Sequence, residues 1–175
     1  MNFVVEDFEN ATSDWIFSKP VSALTYWGGN IFGGLTIVLF FLLLTITSYY
    51  SIQMLASNIG VIDHKQIWAS YFGLVLLSLV FISISSMSSS VSKNQAGAFL
   101  LAVILCYSLY SLPGLLSSMP VFSGGMDYSL KYFSLDTHLE ILSRGILEIR
   151  TVIYYLSLTG LFSFLTIFYI KKRLV

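Results

Sequence analysis

Residues 151–170 read TVIYYLSLTGLFSFLTIFYI, and Lys171-Lys172-Arg173 follow at once. Those twenty positions hold no charged side chain. At about 1.5 Å of rise per residue, roughly twenty helical residues cover a hydrocarbon core of ~30 Å. The run therefore predicts a helix that crosses a membrane, with the basic cluster as its stop. Immediately upstream, Leu135, Leu139, Leu142, Ile146 and Ile149 recur at spacings of four and three, the pattern of one helical face. Thr137 with Glu140 three residues on has the form of a capping box. Glu140, Arg144 and Glu148 follow at i,i+4 intervals, with Glu140 on the N-terminal side of Arg144, the more favourable order. This predicts an amphipathic helix lying on the membrane surface and leading into the last span.

Composition extends that reading to the whole chain. With 56% hydrophobic and 10% charged residues and a mean hydropathy of +0.81, the sequence lacks the polar surface of a soluble domain of 175 residues. The expected fold class is an all-α integral membrane protein forming one membrane domain. Formal net charge is zero and no basic face with interleaved aromatics occurs, which argues against nucleic acid as a partner. The lone Cys106 sits in an apolar run and reads as a small hydrophobe.

Because an ionised side chain is costly in hydrocarbon, charge-free intervals locate the spans. There are four, at about residues 27–50, 67–89, 95–115 and 151–170, with the third ended by Pro113-Gly114 and Pro120. Residues 1–26 form an acidic lead-in that carries Glu6, Asp7, Glu9 and Asp14, unlike the basic start of a signal peptide. Residues 116–150 form the long connection before the last span. Placing Lys19, Lys93 and Lys171-Lys172-Arg173 in the cytoplasm puts both termini there and residues 116–150 outside; Lys65, Lys131, Arg144 and Arg150 then face out. Trp27 and Trp68 fall near span ends, as interfacial aromatics do.

Two clusters of small residues bear on packing. Residues 83–90, with Ser83, Ser85, Ser86, Ser88, Ser89 and Ser90, read first as a close helix contact and otherwise as a polar translocation lining. Gly28, Gly29, Gly33 and Gly34 likewise read as close-packing positions, Gly29 and Gly33 at Gly-x-x-x-Gly spacing. Catalytic chemistry is not expected. No span contains a charged residue at depth, His64 and His138 read as surface residues without ligand partners, and there is no Gly-x-x-x-x-Gly-Lys-[Ser/Thr] phosphate loop.

Three stretches, taken in order, resemble the membrane permease subunits of type-2 ABC exporters, in particular the gliding-motility-associated branch. The first is Phe8-Glu9-Asn10-Ala11-Thr12, followed by Ser18-Lys19-Pro20-Val21-Ser22 and Gly29-Asn30; it departs from the family pattern at Ala11, where glycine is usual, and at Asn30, where lysine is usual. The second runs from Ile62-Asp63 through Ala69-Ser70-Tyr71-Phe72-Gly73-Leu74 to Ser89-Ser90-Val91-Ser92-Lys93-Asn94-Gln95. The third is His138-Leu139-Glu140, Ser143-Arg144-Gly145 and Arg150 ahead of Tyr154-Tyr155-Leu156-Ser157, which looks like the extracytoplasmic helices before the last span.

The resemblance implies a permease in the cell membrane that works with a separate ABC ATPase subunit and a second permease subunit. ATP and magnesium would belong to the ATPase, with no cofactor in this chain. Glu9, Thr12, Trp15 and Pro20 are the implied coupling contacts on the cytoplasmic lead-in. Glu140, Arg144, Glu148 and Arg150 would form an outer gate or an interfacial anchor. Such permeases resemble six-helix proteins, so two spans are expected to be missing here, and a non-transporting scaffold or assembly subunit is the alternative expectation.

Overall fold

A computed structural model describes residues 23–55, 63–92, 94–119 and 126–174. Seven helices occur among them and no strand: α1 (Ala23–Leu55), α2 (His64–Val91), α3 (Gln95–Tyr110), α4 (Leu112–Ser117), α5 (Met126–Phe133), α6 (Leu135–Ser143) and α7 (Ile149–Leu174). Four stretches are long and apolar enough to cross a membrane: Leu24–Leu55, His64–Val91, Gln95–Ser117 and Ile149–Lys172. All four expected spans are present, and each helix runs a few residues past its charge-free core because polar residues at the membrane surface still support helical hydrogen bonding.

Local chemistry sets several ends. Asp63 caps α2 by accepting the Lys65 amide at 3.0 Å, and Asn94 caps α3 by accepting the Ala96 amide at 3.3 Å. Pro113 does not terminate the third span. It occupies the first turn of α4, where a missing N–H costs nothing, so the chain continues helically after a break at Ser111.

α2 is the centre of the bundle. Of its most apolar eighteen-residue window 44% is buried within the protein, against 28% for the last span and 6% for the first and third. α2 meets α7 in the most extensive contact and also packs on α1, α3 and α6. The core joins Leu76, Leu77, Val80 and Ile84 of α2 to Leu135 and Leu142 of α6 and to Tyr155 and Phe162 of α7. α1 runs antiparallel to α2. A Cβ at Gly34 would lie 3.1 Å from Ile82 Cγ2, and Thr45 Oγ1 lies 3.0 Å from the Tyr71 hydroxyl. Of the four glycines at the start of α1, Gly34 alone fits a neighbouring helix; a Cβ at Gly28, Gly29 or Gly33 would meet nothing within 4 Å.

The amphipathic stretch before the last span is not one helix. α6 ends in a Schellman motif, in which the Gly145 amide bonds the Leu142 carbonyl at 2.9 Å and the Ile146 amide reaches Ile141 at 3.4 Å. Gly145 adopts φ +82°, a conformation that costs an L side chain about 1–2 kcal/mol. Leu135 and Leu142 are therefore buried, whereas Ile146 and Ile149, expected on the same face, are exposed. Thr137 lies inside α6, and Ser134 takes the N-cap position with its side chain turned elsewhere. α6 rests on α2 at Gly73, where a Cβ would come within 3.0 Å of Leu142 Cδ1.

Candidate functional site

The α2 and α7 pair carries buried hydroxyls on both partners. Ser83, Ser88 and Ser90 of α2 donate to the carbonyls of Leu79, Ile84 and Met87 at 2.8–2.9 Å. On α7, Thr159, Ser163 and Thr166 donate to Tyr155, Thr159 and Phe162 at 2.9, 2.6 and 2.7 Å. Each of these hydroxyls is satisfied within its own helix, which lets small polar side chains sit among packed helices. Ser83, Ser86, Ser88, Ser89 and Ser90 are buried within the chain, as a close helix contact requires.

A second polar cluster joins the start of α7 to the corner between α5 and α6, and His138 is its hub. Its side chain is buried, with 3% of the residue exposed. The Nε2–H donates to the Tyr132 carbonyl at 2.9 Å, Nδ1 lies 3.1 Å from Thr151 Oγ1, and the ring stacks on Tyr154 with centroids 4.6 Å apart. The Tyr132 carbonyl can only accept, and the Thr151 hydroxyl can either donate or accept, so each ring nitrogen has a partner. Around it, Tyr154 donates to the Phe133 carbonyl at 2.7 Å, Tyr155 to Leu135 at 3.0 Å, and Ser134 to Tyr110 at 2.7 Å. These bonds tie α3, α5, α6 and α7 into one body. The surface placement expected for His138 is thus overturned. The signal was present in the spacing, since Leu135, His138 and Leu142 stand three and four apart, on one helical face. A histidine beside a hydroxyl has the look of a base and nucleophile, and here the hydroxyl, that of Thr151, is fully buried.

The acid and base ladder before the last span is only partly assembled. Arg144 pairs with Glu140 at 2.5 Å, both side chains being more than half exposed. Glu148 lies on the connector after Gly145, and Arg150 lies in the first turn of α7, both exposed. The i,i+4 series ends where the helix does. Glu9, Thr12, Trp15 and Pro20 lie outside the described residues. No group of His, Cys, Asp and Glu suited to a metal ion occurs among the described residues.

Three apolar spans around a fourth, central one, hydroxyls bonded within their own helices and a buried hydrogen-bonded corner define a polytopic membrane protein. The profile of the ABC-2 family transporter proteins matches residues 1–170, and the chain belongs to that family. It is the membrane, or permease, domain of such a transporter, a kind of protein that works with an ABC ATPase subunit. No curated protein and no solved structure gives a match.

Proposed function

We propose that this chain is the membrane-spanning component of an exporter in which a separate subunit hydrolyses ATP and this chain carries the transport step. The observation that supports it is the family match, which runs through residues 1–22 ahead of α1, where Glu9, Thr12, Trp15 and Pro20 lie. These four are the proposed contacts with the ATPase, which would also hold the ATP and magnesium. The Ser18-Lys19-Pro20-Val21-Ser22 and Ala69-Ser70-Tyr71-Phe72-Gly73-Leu74 motifs favour the gliding-motility-associated branch.

The chain would lie in the cell membrane with both termini cytoplasmic, an orientation favoured by Lys19, Lys93 and the Lys171-Lys172-Arg173 cluster. A second permease subunit would complete the path. In its favour, the first and third spans bury little within the chain, and Gly29 and Gly33 face open space. Closure of the ATPase would shift the helices between two arrangements, and the body tied together at His138 would move as a unit. Glu140 and Arg144 on that body are the proposed outer gate, with Glu148 and Arg150 beside it.

The experiment is ATPase activity of the reconstituted complex, compared between the native chain and Glu9→Lys or Pro20→Ala. A drop in transport-coupled ATPase activity is expected; full activity in both variants would remove the coupling role. Reporter fusions after Val175 and within residues 127–131 test the orientation, with a cytoplasmic signal from the second reversing it.

A further inference from the structure

The half of the α1 and α2 contact nearest their connection is held by hydroxyl bridges, from Thr45 to Tyr71 and from Tyr49 to His64. Beside these bridges the two helices leave a crevice of about 270 Å³, lined by Leu39, Leu43 and Ile46 of α1 and by Trp68, Phe72 and Val75 of α2. Its walls are hydrocarbon and aromatic, and the Tyr71 hydroxyl that borders it is already bonded to Thr45. The crevice therefore suits an apolar chain and offers little to a polar occupant.

A second cavity, of about 640 Å³, lies between the first turns of α2 and the connector at Gly145 and Leu147. Trp68 and Phe72 line both cavities, so the two adjoin at these side chains and together make up a groove. Its outer part carries His64 and Lys65. Lys65 is exposed and has no ion pair among the described residues, while Arg144 nearby is paired with Glu140. The neighbouring acid, Asp63, is turned to the helix end, where it accepts the Lys65 amide at 3.0 Å. A helix N-terminus adds partial positive charge at the same place. From Lys65 to Val75 the groove follows ten residues of α2, about 15 Å at 1.5 Å per residue, which is half of a ~30 Å hydrocarbon core. It is thus one leaflet deep, cationic at the surface and apolar below.

We propose that this groove is a binding site for a phospholipid of the adjacent leaflet, with one acyl chain between α1 and α2 and the phosphate at Lys65. The match in depth, and the cation at the mouth, distinguish it from the crevice of about 270 Å³ lined by Phe81, Ala98, Phe99 and Ala102, where no charged side chain lines the wall. The site does not depend on the transport reading.

The test uses the full chain in nanodiscs containing phosphatidylglycerol with a photoreactive diazirine midway along one acyl chain, followed by mapping of the labelled peptides. Labelling should concentrate on residues 39–46 and 68–75. Lys65→Glu should lower it about tenfold, the loss expected when a charge-assisted contact is removed, and Lys65→Arg should keep it. Ile46→Trp, which fills the crevice and keeps Lys65, should lower labelling as well. Labelling spread evenly over other outward-facing positions such as Phe99, Ile104, Phe164 and Phe168 would mean ordinary boundary lipid and overturn the proposal. So would a yield indifferent to Lys65→Glu in protein whose thermal stability is unchanged.

Discussion

Replacing His138 with phenylalanine keeps a planar ring against Tyr154 and removes both ring nitrogens, so it isolates the hydrogen bonds from the packing. The Tyr132 carbonyl and the Thr151 hydroxyl lose their partner at 2.9 and 3.1 Å. An unsatisfied buried polar group costs roughly 1–3 kcal/mol. Tyr132 is only half-buried, so the expected loss for His138→Phe is about 1–3 kcal/mol in all. His138→Ala also leaves a cavity and should cost about 3–5 kcal/mol. A cycle with Thr151→Val should return a coupling of about 0.6–1.7 kcal/mol, the range for hydrogen-bonded pairs within membrane proteins. The assay is reversible unfolding in mixed micelles titrated with denaturing detergent, together with amide exchange across α5 and α6. Faster exchange there, ahead of any change in α1, is expected. If His138→Phe and Thr151→Val each change stability by less than ~0.5 kcal/mol and show no coupling, the corner is held by burial of Leu135 and Leu142 alone, and the hydrogen-bond argument fails.

Gly145→Ala should destabilise by about 1–2 kcal/mol, because φ is +82° and the new Cβ would sit 3.3 Å from Gln66 Cα; unfolding in the same micelles checks it, and a neutral result would mean that the end of α6 can relax. Gly34→Leu should separate α1 from α2 and weaken the fold, whereas Gly29→Leu should leave the isolated chain as stable as before, since its Cβ meets nothing within 4 Å. Chemical cross-linking of paired copies then asks whether Gly29→Leu blocks association. Arg144→Glu should alter thermal stability by less than ~1 kcal/mol, as for an exposed ion pair, while slowing transport if the pair closes the outer end of the path.

The four spans were legible because charge is excluded from hydrocarbon, a rule that needs no knowledge of neighbours. What it missed lies where tertiary contact or backbone conformation outweighs periodicity. Leu135 to Ile149 keep a helical spacing through Gly145, and the charges continue it, yet the glycine turns the chain and separates Ile146 and Ile149 from the buried face. The order Arg144-Gly145, a base in the last turn and then glycine, was the available stop signal. Pro113 was visible as a break in α3, and only the structure shows that it opens α4. His138 was placed at the surface because a lone histidine in an amphipathic stretch usually belongs there. Its partners, Tyr132, Thr151 and Tyr154, come from both sides of the corner and meet only after α6 folds back on α7.

Whether this chain works as a permease with an ATPase partner is read from the composition of the complex recovered when the chain is extracted from its own membrane in a mild detergent and weighed by native mass spectrometry. Two copies of the chain bound to two copies of a P-loop ATPase are expected, with Trp15→Ala releasing the ATPase and leaving the chain folded. Recovery of the chain without any ATPase, under conditions where its thermal unfolding is intact, would contradict that expectation.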